Sequence, residues 1–218
     1  MRALMRLGAH ILAYLFHPLL ILSYSLLILL AADPFGFGVS SPWEKMPLIV
    51  ITLLYTFFLP LITTIFMVLT GLIDSVYLDK KEDRIGPLIA AVIFYTWFLM
   101  NMIDNPEIPP VFSVIVLGSL IALSFSFVLN IFSKISLHAV GMGGLLGACF
   151  LLYTYYDYDS ISVGPYVIHF FIVILSVVLL CGLVGSSRLA LGAHIKKDIY
   201  GGALVGFASQ LLAMRFLV

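Results

Sequence analysis

VFSVIVLGSLIALSFSFVLNIF, residues 111–132, contains no Asp, Glu, Lys or Arg. A helix rising about 1.5 Å per residue needs about 20 apolar residues to cross about 30 Å of hydrocarbon, and this stretch is long enough. Lipid offers backbone N–H and C=O groups no partner, so the stretch is expected to be helical. Six more apolar runs read the same way: His10–Ala32, Pro47–Leu72, Pro87–Ile103, His138–Tyr156, Pro165–Gly185 and Ile199–Leu217. The run from Pro87 is the shortest, and Pro18 and Pro60 are expected to kink the spans that contain them. The predicted fold class is an all-α integral membrane protein, a bundle of about six or seven transmembrane helices. Residues 1–218 are read as a single transmembrane domain.

Composition agrees. The chain is 62% hydrophobic and 10% charged, with a mean hydropathy of +1.17; soluble domains carry about 25% charged residues. The spans use up nearly the whole length, so no separate soluble domain fits. Zero net formal charge gives no sign of a nucleic-acid partner. Cys149 and Cys181 sit inside apolar runs without metal or disulfide spacing and read as small buried hydrophobes. The first run is too long for a signal peptide and has no small-residue cleavage site, so it reads as a retained span.

Counting crossings puts the N-terminus and three polar segments, 74–86, 133–136 and 186–198, on one side. That side holds Arg2, Arg6, Lys80, Lys81, Arg84, Lys134, Arg188, Lys196 and Lys197; the other has only Lys45 and Arg215. The positive-inside rule assigns the first side to the cytoplasm. The expected location is a bacterial cytoplasmic membrane with this face inward.

The third segment, Ser187-Arg188, five residues, His194, three residues, Asp198, concentrates chemistry. Four residues apart on a helix, His194 and Asp198 share one face. A carboxylate bonded to one imidazole nitrogen fixes the tautomer and leaves the other to attack. Arg188 offers a planar fork matched to phosphate oxygens, and Ser187 adds a hydroxyl. A basic loop attracted to anionic lipid accounts for Lys196 and Lys197, but not for a histidine and an aspartate in register with the arginine. In the second segment, Ser136 reads as a helix cap or an anion contact. His138 reads as an interfacial histidine or as an acid for a leaving alkoxide. In the first, Asp79-Lys80-Lys81-Glu82-Asp83-Arg84 reads alone as a solvated loop, with Arg84 and one lysine able to complete a cationic cradle.

At these residues the chain resembles the type 2 phosphatidic acid phosphatase superfamily of membrane lipid phosphate phosphatases. The family's third signature, serine-arginine, five residues, histidine, three residues, aspartate, is met in full by Ser187, Arg188, His194 and Asp198. Its second, proline-serine-glycine-histidine, is met by Ser136 and His138, with Ile135 and Leu137 in place of proline and glycine. Its first, lysine, six residues, arginine-proline, is degraded: Tyr77 stands where the lysine belongs, and Pro87 follows Arg84 two positions late. The match is best over residues 133–218.

The resemblance implies that His194 is the nucleophile, forming a phosphohistidine, and that Asp198 orients it. It implies that Arg188 and Arg84 hold phosphoryl oxygens, with Lys80 or Lys81 standing in for the missing lysine. Ser136 would bind phosphate and His138 would protonate the leaving lipid alcohol, before water releases the phosphate. No metal or other cofactor is implied, because cations and N–H groups stabilise the charge. Leu137 in place of glycine hinders close backbone approach to an anion, which Lys134 partly offsets. The implied partners are a lipid phosphate substrate and the membrane lipids. Two alternatives remain: a degenerate member that binds headgroups or partners without turnover, and a small transporter.

The pairs Gly143/Gly147 and Gly202/Gly206 have the G-x-x-x-G spacing that lets helices approach closely, which would draw His138 and His194 together. His17 before Pro18 reads as a polar side chain facing the bundle at a kink. His10 and His169 receive no role. Tyr153, Tyr155, Tyr156 and Tyr158 read as an interfacial aromatic belt.

Overall fold

The computed structural model describes residues 2–78 and 80–217, with side chains from residue 6 onward. Asp79 of the first polar segment and the side chain of Arg2 lie outside the described residues. The chain is an all-α membrane bundle in which, among the described residues, seven helical stretches are long and apolar enough to span a bilayer: Arg6–Ala32, Phe35–Leu69, Glu82–Met102, Pro110–Phe132, Leu137–Thr154, Phe170–Ala190 and Lys196–Leu217. The stretch beginning at Glu82 extends three residues beyond Ile85 on a 3₁₀ turn, so it is not the shortest; Leu137–Thr154 is.

The first span is broken rather than kinked. Helix α1 (Arg2–Leu15) stops, a 3₁₀ turn covers Pro18–Leu20, and α2 (Ile21–Ala32) follows. Proline drives the residue before it out of the α region, and His17 is extended at φ −61°, ψ 135°. In the second span, α3 (Met46–Leu53) and α4 (Leu59–Leu69) are joined through a π-helical turn, Leu54–Phe58, just before Pro60. The extra residue of that turn carries the helix through the proline without a break. Helices α5 (Ile85–Met102), α6 (Pro110–Phe132), α7 (Leu137–Thr154), α8 (Phe170–Ala190) and α9 (Lys196–Leu217) complete the bundle.

One departure lies ahead of α8. Tyr166–His169, expected at the start of that span, instead form strand β2 of an antiparallel hairpin with β1 (Ser160–Val163), turning at Gly164 with φ +59°. Among the described residues these two strands make the whole sheet, and the helix begins at Phe170.

Glycine governs the tightest helix pair. Gly202 packs against the carbonyl of Ser136, where an added Cβ would sit 2.8 Å from the oxygen, and Gly147 abuts Phe207 O at 3.0 Å on the same measure. Gly206 and Gly143 lie closer still to the backbones of Val140 and Ala203. Both G-x-x-x-G pairs therefore face each other across the α7–α9 seam, which sets the start of α7 beside the start of α9. Cys149 is buried and Cys181 half-buried, both as free thiols. The apolar core, including Leu26, Leu30, Phe98, Phe112 and Phe170, fills the half of the bundle away from the polar segments. That far end is tied by Lys45 to Glu107 at 3.3 Å and by the Tyr158 hydroxyl donating to Asp33 Oδ2 at 2.8 Å. Tyr158 is therefore a structural tie as well as a member of the aromatic cluster.

Candidate active site

The three polar segments meet at one end of the bundle. Arg84 is buried, and its Nη1 donates to Ile135 O at 3.1 Å while its Nε donates to Leu78 O at 2.9 Å. It thus pins the first segment to the second. The second is pinned to the third by the Ser136 N–H, which donates to Asp198 O at 3.3 Å.

The five-residue spacing between Arg188 and His194 has a local cause. Helix α8 ends at Ala190, and Gly192 takes the left-handed conformation at φ +66°, the usual exit geometry of a helix. The Ala193 N–H then donates back to Arg188 O at 3.1 Å. This turn lifts His194 beside Arg188.

His194 precedes α9 rather than riding on it, which corrects the expectation of a shared helix face. The contact forms all the same. Asp198, in the first turn of α9, sets its Oδ2 3.2 Å from His194 Nδ1 and accepts the Ile195 N–H with the same oxygen at 3.2 Å. An acidic side chain reaching back to a free N–H is ordinary helix-start chemistry; here it also holds an imidazole. A carboxylate can only accept, so Nδ1 carries the proton and Nε2 keeps its lone pair.

Burial lowers the pKa of His194 to about 4, the Asp198 hydrogen bond opposing it and the charges of Arg84, Arg188 and Lys134 adding to the fall. The imidazole is neutral at neutral pH and available as a nucleophile. Lys134 → Ala removes only one of those repulsions. If His194 is a nucleophile, the acid limb of its pH–rate profile should move to higher pH by less than about one unit, and an unmoved or lowered limb in a pH–rate series would contradict that role.

His138 stands in the first turn of α7 and donates from Nε2 to Ala13 O at 3.0 Å. His138, Arg84, Arg188 and His194 all line one cavity of about 190 Å³. The same cavity runs inward past Ala91 and Ala122 to Tyr95 and Ser119, between α2, α4, α5, α6 and α7. A cationic, histidine-bearing mouth thus opens into a largely apolar interior.

Other expected phosphate contacts are not brought to this wall. Ser136 is fully buried and its Oγ accepts the Ala139 N–H at 3.4 Å, so it caps α7. Ser187 is buried and donates to Val184 O at 2.7 Å. Lys80 pairs with Asp74 at the exposed edge, which raises its pKa. Lys81 reaches Ile131 O at 3.3 Å, and the backbone behind it is held by Asn130, whose Nδ2 donates to Lys81 O at 2.7 Å. Lys134, half-exposed, acts on His194 through its charge. His17, expected only as a polar side chain facing the bundle at a kink, also lines this cavity, its ring centre 5.9 Å from that of His138. Its signal in the sequence was the His-Pro pair inside an apolar run.

Comparison of the chain with protein-family models, curated proteins and solved structures finds no match to any of the three.

Proposed function

We propose that the chain is a membrane-embedded lipid phosphate phosphatase working through a phosphohistidine without a metal, as its resemblance to the type 2 phosphatidic acid phosphatases implies. The observation that carries this reading is a neutral His194, held by Asp198, on one cavity wall with Arg84, Arg188 and His138. The two guanidinium groups bind the phosphoryl oxygens. The His194 Nε2 lone pair forms the N–P bond as the bond from phosphorus to the lipid oxygen breaks. His138, its Nε2–H anchored on Ala13 O, takes a proton at Nδ1 from the monoanionic phosphate group and gives it to the leaving oxygen. Water then attacks phosphorus, returns a proton to His138, and the N–P bond breaks to release inorganic phosphate. The apolar interior beyond the mouth suits a substrate whose tail stays out of water.

The site face is proposed to be cytoplasmic, in a bacterial cytoplasmic membrane, on the charge asymmetry alone. A second reading, phosphate-headgroup binding without turnover, is favoured by the engagement of Ser136, Ser187 and Lys80 elsewhere.

Phosphate release from a panel of lipid phosphates in EDTA separates the two. Release by wild type that vanishes in His194 → Ala is the expected result. Equal silence of both proteins, with retained lipid-phosphate binding, would leave the second reading in its place.

A further inference from the structure

We propose that His17 is a further phosphoryl-binding residue of this site, donating a hydrogen bond from Nε2–H to an oxygen of the group held near Arg188 and His138; this rests on the phosphatase reading above. The argument starts from the backbone at the break in the first span. In an unbroken helix the Ala13 carbonyl would accept the His17 N–H. Pro18 has no N–H to give Tyr14, and the His17 N–H goes to Tyr14 O instead, at 3.3 Å. Ala13 O is thereby freed, and it accepts the His138 Nε2–H. The Leu15 carbonyl, similarly released, accepts the Tyr24 hydroxyl at 2.6 Å. The Leu19 N–H, which would have served it, donates to His17 Nδ1 at 3.4 Å.

Two consequences follow for the cavity. His138 is oriented by a carbonyl that exists as an acceptor only because the helix stops. His17 is fixed as the tautomer with its proton on Nε2, since Nδ1 is accepting. Its ring stands edge-on to that of His138, at 78° between planes, and lines the same cavity as Arg84, Arg188 and His194. A neutral N–H donor beside two guanidinium groups adds a hydrogen bond to an anion without adding to the cationic crowding around His194. With Ser187 donating to Val184 O and neither Ser136 nor Ser187 lining the cavity, His17 supplies a neutral donor that those serines do not.

The test separates capping from binding. His17 → Asn keeps a short acceptor for the Leu19 N–H but withdraws the donor from the cavity. His17 → Gln puts an amide N–H back at greater reach. Purified variants are compared by unfolding midpoint in detergent, by calorimetric binding of inorganic phosphate, and by kcat/KM for lipid phosphate release. His17 → Asn is expected to unfold like wild type yet lose about 10- to 100-fold in phosphate affinity and in kcat/KM, the scale of one hydrogen bond to a charged group. His17 → Gln is expected to recover part of both. Wild-type affinity and turnover in His17 → Asn would reduce His17 to a cap and overturn the proposal. Should the Asn variant not fold, His17 → Phe preserves the ring packing against Phe57 and His138 without either nitrogen, and unchanged phosphate affinity there is equally fatal. A wild type that neither binds nor releases phosphate brings down the phosphatase reading itself, a result distinct from an active wild type indifferent to His17.

Discussion

On the phosphohistidine reading, Asp198 → Asn is expected to lower phosphate release by about 10- to 100-fold while the protein stays folded, the scale of a charged hydrogen bond made neutral. The native carboxylate accepts from two donors at once, His194 Nδ1–H and the Ile195 N–H, through Oδ2. An asparagine with its carbonyl oxygen in the place of Oδ2 can accept from both donors, so the start of α9 keeps its cap and His194 keeps its proton on Nδ1. What is lost is the negative charge behind the imidazole, which in the proposed reaction becomes cationic as Nε2 bonds to phosphorus. Steady-state phosphate release beside an unfolding curve in detergent checks this; an Asn variant within tenfold of wild type would mean that Asp198 serves only the helix start.

The second large effect concerns packing. Gly206 → Ala is expected to destabilise the bundle by about 1–3 kcal/mol and to reduce activity with it, whereas Gly201 → Ala, five residues earlier on the same helix, is neutral or slightly stabilising. A methyl at Gly206 would fall on Val140 O and the Gly144 N–H of α7, backbone atoms that cannot turn aside. A methyl at Gly201 meets nothing within 4 Å and gains the helix propensity that alanine has over glycine, about 0.5–1 kcal/mol. The seam that Gly206 closes also sets Ser136 against Asp198, so a wedge there pulls His138 away from His194. Thermal unfolding and phosphate release of the two variants should diverge; equal behaviour would show that the α7–α9 approach is not held by glycine.

What was legible in the sequence follows from how local each cause is. Span positions came from composition over about 20 residues, and the structure moves their ends by a few residues, most at α8, where Pro165 closes a turn and Tyr166–His169 form a hairpin strand instead. The gathering of three polar segments at one end followed from parity of crossings. The Arg188, His194 and Asp198 cluster was readable because its spacing spans one turn and one helix start. The roles of the remaining polar residues were not. Whether Ser136 meets an anion or Ala139 depends on a hydroxyl rotamer, and whether Lys80 faces the cavity depends on Asp74 six residues away. His17 was legible as a kink residue facing inward. That its break also frees Ala13 O for a histidine 125 residues later is a long-range contact that no local pattern encodes.

The packed apolar half of the bundle has an electrical consequence. Leu26, Leu30, Phe98, Phe112 and Phe170 are each fully buried and lie beyond the inner end of the cavity, toward the Lys45–Glu107 tie. Moving one elementary charge through a membrane potential involves about 2.3 kcal/mol per 100 mV, but on the proposed reading an anion entering at the arginine mouth would meet this packed apolar region and leave by the way it came. Phosphate would therefore be returned to the compartment that presented it, and turnover in sealed vesicles would be indifferent to an imposed voltage.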